Sequence, residues 1–448
     1  MSWLNEQIAE QWRNEGRRYA QSVNDFVRRG MAGEEPDESE LTDDGRVGIS
    51  AQVWDMVKKA NEQNDLQRLR TELPAATWPF NETFQSFLQA VRVAGYLNNS
   101  TVVFNSGIHT DQGCVYTADS EQVLSFPQYQ FAGQSPDAAQ YALAGSEGIR
   151  VITHPDRHLE GKEVAMFRWD EIQSAIHQAL PRIESLADCE YPERTLEGLI
   201  PFNEGQALLI LSTYGIYLVK HGKVSPIHPD PTEVEEHELE DTQISMGHAA
   251  VSHDGRWIAF GSQVSDHMLL DLERNHTYSL YPESSYPHHA LFTRDSRMVW
   301  LNACHFYNGV TMQVELSEVE GNESREDWPI MDEIARVYAS VEIPEGMVLG
   351  DAYGYLKCID KKGQEVWRHF VGSTICSLAL SPDQSRLAVG TFGGMVHILD
   401  LHADQMDDYS IGTGTLREVE RFVVWRGESL YDGRVGMYDM RKEMGNAH

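Results

Sequence analysis

Six of the nine residues from Glu233 to Asp241 (EVEEHELED) are acidic, and a second acidic group gathers Glu318, Glu320, Glu323, Glu326, Asp327, Asp332 and Glu333. Between them lies YPESSYPHH, residues 281–289, where tyrosines stand beside a histidine pair. Carboxylates around exposed rings suit a cationic partner, because the charges steer its approach and the rings supply area to bury. On that reading Glu235, Glu236, Asp241, Tyr281, Tyr286, His288 and Trp328 are the candidate partner-binding residues. The plainer reading of each segment alone is a solvated loop.

Signatures of catalysis are missing from the sequence. It has no GxxxxGK phosphate loop, no GxSxG elbow, no HExxH and no EF-hand loop. His248 with His253, His288 with His289, and His154 with His158 invite a metal. Neighbours along a strand, however, point to opposite faces and cannot share an ion without a bend. The five cysteines (Cys114, Cys189, Cys304, Cys358, Cys376) are odd in number, widely spaced and free of CxxC pairs. That is the pattern of reduced thiols in a cytosol. The expectation is a protein that is not an enzyme and holds no cofactor or metal.

Charge narrows the partners. The 36 Lys+Arg face 69 Asp+Glu, a net charge of -33, which repels nucleic-acid phosphates and anionic membranes alike. A basic protein or peptide, or a cation, suits this surface; acidity serving solubility alone is the alternative. Hydrophobic residues at 41% and aromatics at 10% can build a sizeable core. The opening MSWLNEQIAEQWRNEG lacks the basic and apolar regions of an export signal, and no run of about 18 apolar residues follows. A cytoplasmic location is expected.

The elements that must position these groups fall into two regimes. Residues 1–95 read as helical, with a stripe of Leu4, Ile8, Trp12, Tyr19, Val23 and Phe26 before Gly30. An acidic linker lies near 31–44. A second helix starts at Ser50 as N-cap and runs through Leu73 to Pro74, and a third runs from Asn81 to Gly95. These stripes serve either a partner or packing on the rest of the chain.

From about residue 96 the period becomes alternating. SHDGRWIAFGS (252–262), TRDSRMVWLNA (293–303) and SPDQSRLAVGT (381–391) repeat a polar turn followed by an apolar strand. Asp254 and Asp295 lie 41 residues apart, and Asp295 and Asp383 lie 88 apart, twice 44. Weaker copies occur at SPDAAQYALAG (135–145) and near Asn98, Glu204, Glu345 and Glu428. That period is one four-stranded blade, so residues 96–448 form an all-β propeller of seven blades, eight being possible. The last copy, ending VGMYDM, lacks a fourth strand that the first, near 97–126, supplies in closing the ring. The gap from Asp137 to Glu204 carries a helical insertion near 153–195, with Asp170 as cap and Ile172, Ile176 and Leu180 on its apolar side.

GDAYGYLKCIDKKGQEVW (350–367) and GTFGGMVHILDL (390–401) start 40 residues apart and share a glycine turn, an alternating strand and a closing Asp. Through Gly350, Gly354, Leu356, Asp360, Gly363 and Trp367 they resemble quinoprotein-like and WD-repeat-like propeller repeats. Gly247–His248 occurs once and blades end in LLDL, ILDL or MYDM, so the resemblance reaches the superfamily and no member of it. It implies relatives that bind pyrroloquinoline quinone in exported enzymes, but this sequence has no vicinal cysteines to stack on such a cofactor, and fold alone does not carry function.

On this strand reading both acidic groups fall between the outer strand of one blade and the inner strand of the next, opening on one face with YPESSYPHH. A protein-binding scaffold follows, one variant being an inhibitor or immunity protein. The competing reading is an enzyme or sensor that holds a small ligand or cation in the central channel.

Overall fold

The repeated turn has a hydrogen-bonding logic. A computed structural model describes residues 2–107, 113–322, 325 and 327–426, and the backbone of 431–432. In four of the turn copies a Ser or Thr donates to an Asp two residues on: Ser135 to Asp137 (2.5 Å), Ser252 to Asp254 (2.6 Å), Thr293 to Asp295 (2.7 Å) and Ser381 to Asp383 (2.7 Å). The Asp accepts a backbone N–H two residues further on, from Ala139, Arg256, Arg297 or Ser385. The Ser or Thr hydroxyl accepts the N–H that opens the next strand. This locks a left-handed residue after the Asp, Gly255 at φ 68 in one copy and Gln384 at φ 61 in another.

Seven antiparallel sheets, each with four consecutive strands, result. Blade 1 spans Val91–Phe126, blade 2 Phe131–Arg168, blade 3 Leu196–His228, blade 4 His248–Leu280, blade 5 Tyr286–Asp332, blade 6 Val337–Phe370 and blade 7 Ile375–Val423. Blade 7 adds a two-residue strand, Tyr431–Asp432. First strands of neighbouring blades contact one another around the ring, so the first strand of each is the hub. The architecture is a seven-bladed β-propeller. Asn98, Asp137, Glu204, Asp254, Asp295, Glu345 and Asp383 each mark the turn from the first to the second strand of one blade. The eighth marker, Glu428, the MYDM segment and the acidic residues Glu323 and Glu326 lie outside the described residues.

Closure differs from the expectation. Blade 1 owns its four strands and blade 7 owns at least four, so no strand need be shared between the ends. The ends instead meet hub to hub: Val93 N donates to Ser377 Oγ at 2.7 Å, and Cys376 Sγ to the Val91 carbonyl at 2.9 Å. Gly390 stands where a Cβ would fall on the Val91 carbonyl and Ser377 Oγ, so no larger residue fits. Other blades are joined by buried asparagines in the second strand. Asn105 pairs with the N–H and C=O of Ala132, and Asn302 donates to Ala335 O (3.0 Å) while accepting from Val337 N (3.1 Å). Asn302→Ala leaves those backbone groups unpaired, and a loss of about 2 kcal/mol in chemical denaturation is the expected result.

The first helical expectation is met and the others need correction. Helix α1 (Glu6–Met31) passes unbroken through Gly16, which is where Arg46 and Tyr409 approach the helix closely. The second helix divides into α2 (Ser50–Glu62) and α3 (Leu66–Glu72), because Asn64 takes φ 53; its N-cap is Ile49, not Ser50. The third is only α4 (Trp78–Thr83), and Val91–Tyr96 is the blade 1 hub strand, where β-branched residues pair with Val102–Ser106. Trp12, Trp54 and Phe80 pack with Trp425, Trp54 and Trp425 lying 4.6 Å apart, so the stripes face blade 7. The insertion holds α5 (Trp169–Ala179), capped by Arg168 rather than Asp170. Among the described residues no helix is long and apolar enough to cross a membrane.

Candidate functional site

In an up-and-down blade, second-to-third turns and the connections between blades open on one face of the ring, while first-to-second and third-to-fourth turns open on the other. The 229–247 and 281–285 connections share the first face. Helix α6 (Pro231–Glu236) begins the former, with Asp230 and Glu233 forming its capping box. Val234 and Leu239 bury against α5, and Thr242 N donates to the Glu184 carbonyl at 2.9 Å. Anchored in this way, the segment turns Glu235, Glu236, Glu238, Glu240 and Asp241 outward. Residues 230–241 hold seven acidic side chains and no lysine or arginine.

Most of the second acidic group does not share that face; only Asp332, ending the blade 5 fourth strand, and Glu333, in the connection to blade 6, lie towards it. Residues 316–329 connect the third strand of blade 5 (Asn308–Glu315) to the fourth (Ile330–Asp332), and so open on the opposite side. Four described members of the group are paired: Arg325 with Glu318 (2.6 Å) and Asp327 (2.7 Å), Arg274 with Glu320 (3.1 Å), and Lys357 with Asp332 (3.0 Å), while Glu333 is exposed. Trp328 is 4% exposed beneath Arg325 and belongs to the blade core. His288 is likewise internal. A bulge in the blade 5 hub strand lets it donate from Nδ1 to Val337 O at 2.7 Å, and burial pulls its pKa down to about 4. Of the seven candidates, Glu235, Glu236, Asp241, Tyr281 and Tyr286 therefore stand together on one face, and His288 and Trp328 do not reach it.

The face holds rings that sequence reasoning missed. Phe306 (63% exposed) and Tyr307 (75%) occupy the second-to-third turn of blade 5, Tyr353 (51%) that of blade 6 and Phe392 (43%) that of blade 7, with Tyr281 (74%) beside them. They are linked. Half-buried Tyr286 stacks on His305, whose ring lies 4.5 Å from Phe306; Tyr353 Oη donates to Tyr307 O at 3.2 Å. Arg336 donates to Phe306 O at 2.9 Å and lies over Tyr338, which is 6.1 Å from Phe392. The signal was an aromatic residue recurring at one turn position: HFYNG, DAYG, TFGG.

Histidines also gather near the hub. The His248 and His267 rings lie 5.9 Å apart, and His289 Nε2 meets Ser340 Oγ at 2.7 Å. Among the described residues no three His, Cys, Asp or Glu side chains are grouped so as to hold a metal ion.

A seven-bladed propeller with an aromatic arc and an acidic segment on one face is the class of protein that fold and site define. No protein-family model matches the sequence, and no curated protein matches it. A solved propeller, KlHsv2 with loop 6CD replaced by a Gly-Ser linker, is similar at 8% identity and a TM-score of 0.42, over 74% of this chain and 98% of that one.

Proposed function

We propose that the chain is a non-catalytic interaction protein that presents this face to a basic protein or peptide, an inhibitor or immunity protein being one form of that role. One observation carries the reading: consecutive blades leave linked aromatic rings exposed on the face that also bears the five outward-turned carboxylates of Glu235, Glu236, Glu238, Glu240 and Asp241. The hub and blade cores are complete without Phe306, Tyr307, Tyr353 and Tyr281, so their exposure gains the fold nothing, and apolar patches of this kind favour partners. The rings supply the buried anchor, and the 230–241 segment supplies charge complementarity and speed of encounter.

Two variants separate the contributions. Tyr307→Ala with Tyr353→Ala is expected to weaken the partner's Kd by about 100-fold with its salt dependence unchanged. Charge reversal at Glu235, Glu236 and Asp241 is expected to slow association about 10-fold and flatten its salt dependence. Surface plasmon resonance against the co-purifying partner reads both. A partner that binds both variants with wild-type affinity and salt sensitivity would sink the reading.

A further inference from the structure

The N-terminal helices leave a cleft of about 460 Å³ against the rim of blades 6 and 7. Tyr19 of α1, Arg46, residues 70–71 and 74–79, His369 and the start of the blade 7 fourth strand (Arg417–Val423) form its walls. Small-molecule sites span roughly 300–1,000 Å³ and concentrate at seams between packed units. This cleft meets both conditions.

Its lining departs from the chain's overall acidity. Four guanidinium groups, on Arg46, Arg70, Arg417 and Arg421, line it against three carboxylates, on Asp44, Asp407 and Glu418, in a chain of net charge -33. Arg17 stands behind, donating to Tyr409 Oη at 3.1 Å. Asp44 grips Arg46 through two 2.8 Å hydrogen bonds, and Glu418 holds Arg421, so the cationic wall is fixed in place. Arg417 is exposed, and among the described residues its guanidinium has no hydrogen-bond or ion-pair partner. Buried His369 on the same wall keeps an Nδ1 without a partner among those residues. The small apolar groups Ala75, Ala76 and Pro79 line it as well, Ala76 beside Arg421.

We propose that this cleft binds a small organic anion, its phosphate or carboxylate group held by Arg417 on the arginine wall and its carbon body lying over Ala75, Ala76 and Pro79. A chain of net charge -33 repels anions on the whole, so binding that survives must come from a local arrangement of positive charge. Planar guanidinium groups recognise phosphate and carboxylate alike through paired N–H donors. Burial keeps His369 neutral, pulling its pKa down to about 4, so at neutral pH it adds no charge to the wall. None of the rings or carboxylates of the docking face lines the cleft, so the two sites stand or fall separately.

Calorimetry and thermal-shift titration of the full chain with AMP, pyrophosphate and citrate, each against sodium chloride at matched ionic strength, test the proposal. At least one probe is expected to bind one-to-one with a Kd below about 1 mM, and the probe that binds distinguishes a phosphate from a carboxylate ligand. Arg417→Glu removes the unpaired cation, and Ala75→Phe fills the space; both sites are exposed, so both variants should keep the wild-type melting temperature without ligand. Each is expected to weaken binding at least 10-fold. Absence of binding by all three probes, or wild-type affinity in either variant, overturns the proposal.

Discussion

Replacing Glu418 by alanine is expected to destabilise the chain by about 3–5 kcal/mol, the usual cost of removing one partner from a buried ion pair. Glu418 stands in the blade 7 fourth strand and accepts from His397 Nδ1 at 2.8 Å and from Arg421 Nε and Nη2 at 3.0 and 2.8 Å. Arg70 of α3 approaches it to 3.9 Å, and Arg421 Nη1 donates to the Ala76 carbonyl at 2.8 Å. One carboxylate thus ties two strands of the last blade to the helical segment. Burial pushes its pKa up, but the charges of Arg421 and His397 and their hydrogen bonds outweigh this and hold it far below the carboxylate range. Alanine leaves guanidinium groups buried without their counter-charge. Glu418→Leu combined with Arg421→Leu should recover most of the loss, since an apolar pair carries no stranded charge. Guanidinium denaturation followed by tryptophan fluorescence and far-ultraviolet circular dichroism reads both variants. A Glu418→Ala cost under about 1 kcal/mol would show that the cluster contributes no net stability.

Particular residues show what the sequence could reveal. The 41- and 44-residue spacings were legible because the Ser/Thr-x-Asp turn is a local hydrogen-bonded device that uses the same residue types in blades 2, 4, 5 and 7. Residues 91–95 fall within the expected third helix because Phe84, Phe87, Leu88 and Val91 fit a helical period, whereas the pairing that makes a strand of Val91–Tyr96 comes from residues 102–106. Trp328 and the 316–329 carboxylates were placed on the wrong face for a related reason. A long third-to-fourth connection looks in sequence like a connection between blades, and only the strand count within blade 5 tells them apart. The tyrosines at 281 and 286 were found through their acidic neighbours. Phe306, Tyr307, Tyr353 and Phe392 have few acidic neighbours and were passed over, although their shared turn position was visible. A repeat therefore carries its functional information where an otherwise replaceable turn keeps the same costly residue type.

Mild acid is expected to unfold the ring, and the buried histidines are the cause. His248 and His267 sit ring to ring in blade 4; His288 and His289 follow in the blade 5 hub strand, and His369 closes the fourth strand of blade 6. Burial pulls His267 and His289 down to about 3, and His288 and His369 to about 4; it lowers His248 as well, reinforced by the charges of its histidine neighbours. In the unfolded chain each titrates near 6.5. Between that value and the folded one the unfolded chain binds more protons, so stability is fully present above pH 6.5 and is lost as pH falls towards 4. At pH 5 each group subtracts about 2 kcal/mol, and four together subtract about 8 kcal/mol, comparable with the whole stability of an ordinary fold. Protonation of carboxylates relieves the self-repulsion of a chain of net charge -33 and acts in the opposite sense, but model carboxylates titrate near 4, after the histidines have begun to act. The melting temperature should therefore fall from about pH 6.5 downward, with half-unfolding at 25 °C between about pH 4 and 6. A melting temperature that holds level or rises down to pH 5 would defeat this account. His267 offers the sharper check, because neither ring nitrogen has a partner among the described residues. His267→Phe keeps a flat ring at the position, removes one proton from the acid transition and should raise stability at pH 5 by about 2 kcal/mol, with a smaller gain at pH 8.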